Sequence, residues 1–328
     1  MKKRYYNLDV MKYILSIVVI IHHMRPFIGS DPFLDMTFNN VIARICVPYF
    51  LFITGYFISN KENGYIKKYI WVLIKLYLIW WFIYLPLGYL YLYIHPEVLN
   101  GISISFIEAL IISLVYVGSF YHLWYFPAVI IGLLIVDKVK DFNYKWVMLI
   151  AILLLILGAT ETYYGLLPLV IKRVLDFYYN TFHTTRNFLF FGFFYLWFGF
   201  VAGKKGIKEN KSLVRFLISF ILLYIEAYLL RRTPRLNSNI MIMSIPTIYY
   251  LFIYLMSRDD INFFKFKHSL NDLSKYYYLV SPMVIFGMSY FTNIFINNIF
   301  ISILNIFIVI FITHYISCAI IKLERRGK

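Results

Sequence analysis

Residues 7–23 read NLDVMKYILSIVVIIHH, and the reading of this stretch decides the fold. Between Asp9 and His22 the run is almost wholly apolar, broken by Lys12 and Ser16. With its flanks it approaches the ~20 residues that an α-helix needs to cross hydrocarbon. It follows the basic start MKKRYY, lacks a small-residue cleavage site and leads into another apolar segment. It therefore reads as a signal-anchor helix and not as a cleaved leader. What sets it apart is the cost of what it carries. A lysine and a histidine inside a membrane span are expensive and default to functional candidates.

The rest of the chain agrees with a membrane setting. Of 328 residues, 61% are hydrophobic and only 15% charged, against ~45–50% and ~25% in an ordinary globular domain; mean hydropathy is +0.71. The 31 tyrosines and 32 phenylalanines suit chains whose aromatic rings sit at two water interfaces. Apolar blocks fall at 10–28, 42–58, 69–94, 122–136, 147–160, 188–203, 214–230, 239–256, 275–291 and 295–320. The predicted fold is all-α: one domain over 1–328, a polytopic membrane bundle of about ten transmembrane helices with both termini cytoplasmic.

Charge orients the bundle. Lys and Arg of short loops collect on the cytoplasmic side. With ten spans that side takes clusters such as Lys61, Lys67, Lys68, then Lys138, Lys140, Lys145, then Lys204, Lys205, Lys208, Lys211, Arg215. The outer side keeps Lys172, Arg173, Arg186, Arg231, Arg232 and Arg235. Counting 103–119 as a full span would invert every later loop, so that stretch, with Ser103, Ser105, Glu108 and Ser113, reads as part-embedded or re-entrant. The net charge of +16 then faces anionic lipid headgroups, and no nucleic-acid partner is expected. The outer segment 161–187 contains PLVIKRVLDFYY, which suits an amphipathic helix lying on the membrane surface.

Lys12 and His23 are eleven residues apart. On an α-helix that is ~1100° of rotation, so they share a face to within ~20° and stand ~16 Å apart along the axis. The lysine lies nearer the cytoplasm, suited to the phosphates of an anionic donor. The histidine lies nearer the outside and can act as a general base. His22 points ~100° away and reads as a neighbour. Arg25 and Arg44 can snorkel to an interface, and Glu226 can pair with Arg231. Cys46 and Cys318 form no CxxC, and His95, His183, His268 and His314 are scattered. Neither a disulfide nor a metal site is expected.

The first stretch resembles the opening of the acyltransferase family 3 membrane proteins, with Asp9, Lys12 and His23 in that family's arrangement. The resemblance continues in order through ARICVPYFLFITGYFI (43–58), HLWYFPAVIIG (122–132) and RNFLFFGFFYLWFGF (186–200). It implies transfer of an acyl group, usually acetyl, from acetyl-CoA to a hydroxyl of a glycan or lipid-linked sugar of the cell envelope. His23 would be the base, and Lys12, Lys67, Lys68 and Lys75 would face the donor. Asp9, His122, Trp124, Arg186 and Asn187 would form the supporting and acceptor side. Acetyl-CoA serves as co-substrate, without a metal, and the expected location is the bacterial plasma membrane, among lipids. Two departures stand out. The family's Arg-x-x-Arg after the second helix is not reproduced, and Ser281 precedes Pro282 where the family carries a histidine. These keep a transporter of a small polar molecule such as an amino acid as the competing expectation, since membrane domains of this family are also attached to serine racemases. Inverted repeats, frequent in transporters, are not evident.

Overall fold

The computed structural model describes residues 5–95, 106–182, 184–206, 212–258, 269–291 and 298–326. Among them there is no strand. In chain order the helices are α1 (Tyr6–Met24), α2 (Pro32–Met36), α3 (Cys46–Ser59), α4 (Tyr65–Ile94), α5 (Phe106–Ile112), α6 (Tyr125–Val139), α7 (Tyr144–Ala159), α8 (Leu169–Phe182), α9 (Phe193–Lys205), α10 (Ser212–Leu230), α11 (Ser244–Met256), α12 (Leu270–Phe291) and α13 (Ile299–Arg326). Three π-helical pieces, Thr37–Ile42, Ser113–Val117 and Phe188–Gly192, join or lead into them.

Six helical stretches are long and apolar enough to cross a membrane: Tyr6–Met24, Pro32–Ser59, Tyr65–Ile94, Phe188–Lys205, Ser212–Leu230 and Ile299–Arg326. Helices α6, α7 and α11 are apolar but run only 15, 16 and 13 residues. The 22 residues of α12 begin with the polar run Asn271, Asp272, Ser274, Lys275. Helix α5 and the π-helix after it cover Phe106–Val117, about 18 Å of rise at 1.5 Å per residue. That is short of the ~30 Å of hydrocarbon, in line with an incomplete crossing. Ser103 and Ser105 of that expectation lie outside the described residues, as do Lys208, Lys211, His183 and His268.

The chain clusters into two compact units. The first comprises Met1–Val47, Lys208–Arg232 and Met241–Lys328, the second Pro48–Ile207 and Thr233–Ile240. In the first, α1 packs along α12, α12 along α13, and α10 along α11. A polar thread stitches three of these helices. The Tyr13 hydroxyl meets that of Tyr277 at 3.0 Å, Tyr277 meets His314 Nδ1 at 2.8 Å, and His314 Nε2 lies 3.5 Å from Cys318 Sγ. One turn beyond Tyr277, Ser281 is fully buried, and its hydroxyl has no hydrogen-bond partner among the described residues.

In the second unit α6 packs against α4 and α9, and α7 against α9. Helices α3 and α9 approach backbone to backbone. A Cβ on Gly55 would sit 2.0 Å from the Leu196 carbonyl oxygen, and one on Gly199 2.0 Å from that of Phe52. Gly203, one turn later, faces Ser59 in the same way. Small residues four apart let membrane helices close to this distance, so Gly55 is a packing residue. Helix α8 turns large apolar side chains outward: Val170, Val174 and Phe177 are 74%, 68% and 78% exposed. That is the face an interfacial helix would lay on lipid.

Candidate active site

Helix α1 runs unbroken from Tyr6 to Met24, so the spacing argument for Lys12 and His23 holds. Lys12 Nζ donates to Asn271 Oδ1 of α12 at 3.1 Å and pairs with Asp9 at 3.9 Å. The Ser274 hydroxyl donates to the Lys12 carbonyl at 3.0 Å. The ammonium is thus held between its own helix and the start of α12. Nearby, Asn7 donates to the carbonyls of Leu255 and Arg258, at 3.4 and 3.3 Å. Asp9 and Lys12 come together as the sequence implied; Asn271 joins them from 259 residues away.

The other end of α1 is wired differently. His22 Nδ1 lies 2.6 Å from Asn39 Oδ1, Asn39 Nδ2 donates to Asp35 Oδ1 at 2.7 Å, and Arg25 pairs with Asp35 Oδ2 at 3.1 Å. The chain Arg25–Asp35–Asn39–His22 has one consistent polarity. An ionised carboxylate only accepts, so the Asn39 amide must point its NH2 at Asp35 and its carbonyl at His22. The imidazole therefore donates from Nδ1. Two backbone features make the chain. Arg25, which ends α1, has φ 43 and ψ 58, the one non-glycine at positive φ among the described residues. Asn39 sits in the π-helix Thr37–Ile42 and is 4% exposed. Arg25 is consequently an ion-paired residue beside the histidines, where the sequence allowed a snorkelling one. His23 stacks its ring 5.2 Å from that of His22 and is half-buried.

Glu226 also departs from expectation. Its two carboxylate oxygens accept the backbone N–H groups of Ile242 and Met243 at 2.7 and 2.8 Å, immediately ahead of α11. A carboxylate there complements the orphan amides and positive end of the helix. Arg231 instead donates to the Tyr228 carbonyl.

In the second unit the remaining expected site residues separate. Lys67, Lys68 and Lys75 are exposed along the first half of α4. Lys68 and Lys75, seven residues apart, share a face within ~20°, and Lys67 is turned ~100° from Lys68. His122 and Trp124 lie in the turn before α6, 2% and 8% exposed. His122 is walled by Tyr84, Phe120 and Tyr121, with ring centroids at 4.6, 6.0 and 5.7 Å. Trp124 carries the Arg186 guanidinium on its ring at 4.6 Å, a cation–π contact. Asn187 caps the π-helix before α9 through its Oδ1, which accepts from Leu189 and Phe190 N–H. Its amide donates to the Tyr116 and Tyr178 hydroxyls.

A residue the sequence reading passed over organises this corner. Glu161 is 1% exposed. Its Oε2 accepts from the Thr185 N–H at 2.8 Å, from the Thr185 hydroxyl and from that of Thr184 at 3.3 Å; Oε1 accepts from Asn239 Nδ2 at 2.8 Å. Its backbone carbonyl receives the N–H groups of Leu236 and Asn237. Asn239 Oδ1 in turn receives Arg186 Nη1 at 3.5 Å. A buried carboxylate is tolerated when so many donors meet it. Here it fixes, through Asn239, the arginine that covers Trp124. The local signal was ATET (159–162), an isolated acid directly after a long apolar run.

Among the described residues no cluster of His, Cys, Asp and Glu has the form of a metal site. The geometry supplies a basic nitrogen pair at one end of α1, a tethered ammonium at the other, and an arginine–indole corner in the second unit.

Three relatives are similar to the chain over much of its length. An "Amino-acid racemase" of Enterococcus faecalis is 27% identical over 99% of this chain and 47% of its own length. A second of the same name and organism is 26% identical over 77% of this chain and 36% of its own. A "Serine/alanine racemase" of Enterococcus gallinarum is 28% identical over 88% and 42%. The chain thus spans less than half the length of the curated relatives it matches. No solved structure matches it. The model of the "Acyltransferase domain" matches residues 5–322, nearly every residue discussed above, and the chain belongs to the acyltransferase 3 family.

Proposed function

We propose that the chain is a bacterial plasma-membrane O-acyltransferase. It moves an acyl group, acetyl in the first instance, from acyl-CoA to a hydroxyl of an envelope glycan or lipid-linked sugar. The observation that carries this reading is α1. One unbroken helix holds Lys12 at one end and the His22–His23 pair at the other, in a chain that matches an acyltransferase domain from end to end. In the proposed arrangement ten spans keep both termini in the cytoplasm. Lys12, with Lys67, Lys68 and Lys75, serves the donor phosphates. The acceptor hydroxyl loses its proton to the histidine pair, in which the resemblance singles out His23. The oxygen then bonds to the thioester carbonyl carbon as the C–S bond breaks. Arg186, seated on the buried Trp124 ring, offers a charged group suited to a sugar that bears an anionic group.

A second reading is favoured by the names of the relatives, which act on serine, alanine or another amino acid: the membrane part would then carry such an amino acid across. One experiment separates the two. Inside-out vesicles of the host containing the chain receive [14C]acetyl-CoA, and base-labile label on envelope glycan is counted. Proteoliposomes of the same protein are assayed for uptake of [14C]serine and [14C]alanine. Label on glycan that depends on the chain supports acyl transfer; uptake without glycan label replaces it with transport.

A further inference from the structure

Two features of the second unit are joined in space: an arginine held in a fixed pose and an outward apolar helix face. The arginine is Arg186. Glu161 receives the Asn239 amide at 2.8 Å. Because an ionised carboxylate only accepts, the Asn239 carbonyl is turned to Arg186 Nη1, 3.5 Å away. The Trp124 ring lies under the guanidinium at 4.6 Å. Held from these two directions, Arg186 is still only half-buried. The helix face belongs to α8, where Val170, Val174 and Phe177 point outward at the i, i+4, i+7 spacing of one stripe. On the helical wheel Tyr178 stands about 70° to one side of that stripe and Arg173, which is exposed, about 70° to the other. Tyr178 makes the join. Its hydroxyl donates to the Thr184 carbonyl and receives the Asn187 amide, each at 3.2 Å. Helix α8 is thereby tied to the chain on both sides of Arg186.

A ligand with an apolar tail on α8 and an anionic head at Arg186 matches both features at once. We infer that the acceptor is a sugar carried on a polyprenyl phosphate or diphosphate; this rests on the acyl-transfer reading and names its acceptor. The phosphate binds the guanidinium, whose planar fork suits phosphate oxygens, and the polyprenyl tail lies along the Val170–Val174–Phe177 stripe. Arg173 adds positive charge on the far flank of the tail. The sugar then arrives from the plane of the membrane, and its phosphate, held at Arg186, sets how far its hydroxyls can reach. The bond changes stay those of acyl transfer. The sugar oxygen bonds to the thioester carbonyl carbon, the C–S bond breaks, and the hydroxyl proton ends on the CoA thiolate.

The test has a binding arm and a transfer arm, both on the full chain. In phosphatidylcholine nanodiscs a benzophenone-bearing polyprenyl phosphate is photo-crosslinked and the labelled peptide identified. Label should fall within Leu169–Phe182. Unlabelled polyprenyl phosphate should compete for it, whereas the neutral polyprenol, phosphatidylglycerol and a soluble sugar 1-phosphate should not. Arg186→Gln should weaken that competition by about 10–100-fold, the worth of a charged hydrogen bond. Arg186→Lys should fall between, since the charge stays and the fork is lost. Val174→Glu, at an exposed position, should weaken it as well with the melting temperature unchanged. In host vesicles given [14C]acetyl-CoA, base-labile label should enter the chloroform–methanol extract first and pass to polymer in a chase. Equal competition by the polyprenol, phosphatidylglycerol or the sugar 1-phosphate, affinity indifferent to Arg186→Gln, or label in polymer with none in the lipid extract overturns the inference. Crosslinking and competition as expected, with no label transferred to any acceptor, removes the acyl-transfer reading and leaves the polyprenyl phosphate site standing.

Discussion

Replacing Glu161 should unfasten a whole corner of the second unit, and the size of the effect follows from its partners. The carboxylate receives the Thr185 amide, two threonine hydroxyls and the Asn239 amide, all but the Thr184 hydroxyl buried from water. Glu161→Ala strands the Thr185 N–H and Asn239 Nδ2, each at about 1–3 kcal/mol, and breaks a buried charged network, for which about 3–5 kcal/mol is typical. Glu161→Gln is subtler. Its carbonyl can keep the threonine donors, but its NH2 then opposes Asn239 Nδ2. Turning the Asn239 amide over relieves that clash and sets its NH2 against Arg186 Nη1. The mismatch therefore travels to the arginine, and the cost is about 1.5–3 kcal/mol, the worth of one charged hydrogen bond. At about 2–4 °C per kcal/mol, the alanine variant should melt roughly 10 °C below the parent in detergent by scanning fluorimetry, and the glutamine variant about half as far. A cycle with Asn239→Ala should give a coupling of about 1–3 kcal/mol. An alanine variant within ~2 °C of the parent, or strictly additive effects with Asn239→Ala, would refute the argument.

Other expectations follow from neighbouring features. Gly199→Ala places a methyl 2.0 Å from the Phe52 carbonyl and should cost about 1–3 kcal/mol by overpacking, read as a lower melting temperature; Gly206→Ala, which meets no atom within 4 Å but loses a left-handed glycine, should act only on the backbone after α9. Glu226→Ala removes the acceptor of two amides and should cost about 0.5–2 kcal/mol, with faster hydrogen exchange confined to the first turn of α11. A spin label at residue 174 or 177 of α8 should report contact with lipid and one at Arg173 contact with water; equal exposure of all three to a water-soluble relaxant would dismiss the interfacial helix.

Much of the fold was legible because apolar length is written locally. Helix α1 and the amphipathic α8 follow from composition and spacing within one segment. Lys12 and Asp9 were legible together because three residues on a helix bring side chains to one face. Their partner Asn271 was not, since it arrives through tertiary packing. The same holds for Glu161: Thr185 is 24 residues away and Asn239 78, and no periodicity links them. The tie of His22 was hidden for the same kind of reason: Asn39 reaches it from the π-helix 17 residues on, which the periodicity of α1 does not show. Of the ten expected spans, six match helical stretches among the described residues that are long and apolar enough to cross, whereas others, such as α11 with 13 residues, are shorter.

That π-helix bears on how the chain tolerates change. Its bonds run from residue i to i+5, so it holds one residue more than an α-turn of the same pitch. Removing a single residue between Thr37 and Ile42 would leave every side chain of α3 intact yet swing Asp35 and the segment before it by ~100° about the helix axis, away from His22. A one-residue deletion there should thus be more harmful than most point substitutions in the same turn. In a family alignment the stretch should hold its length more strictly than its letters.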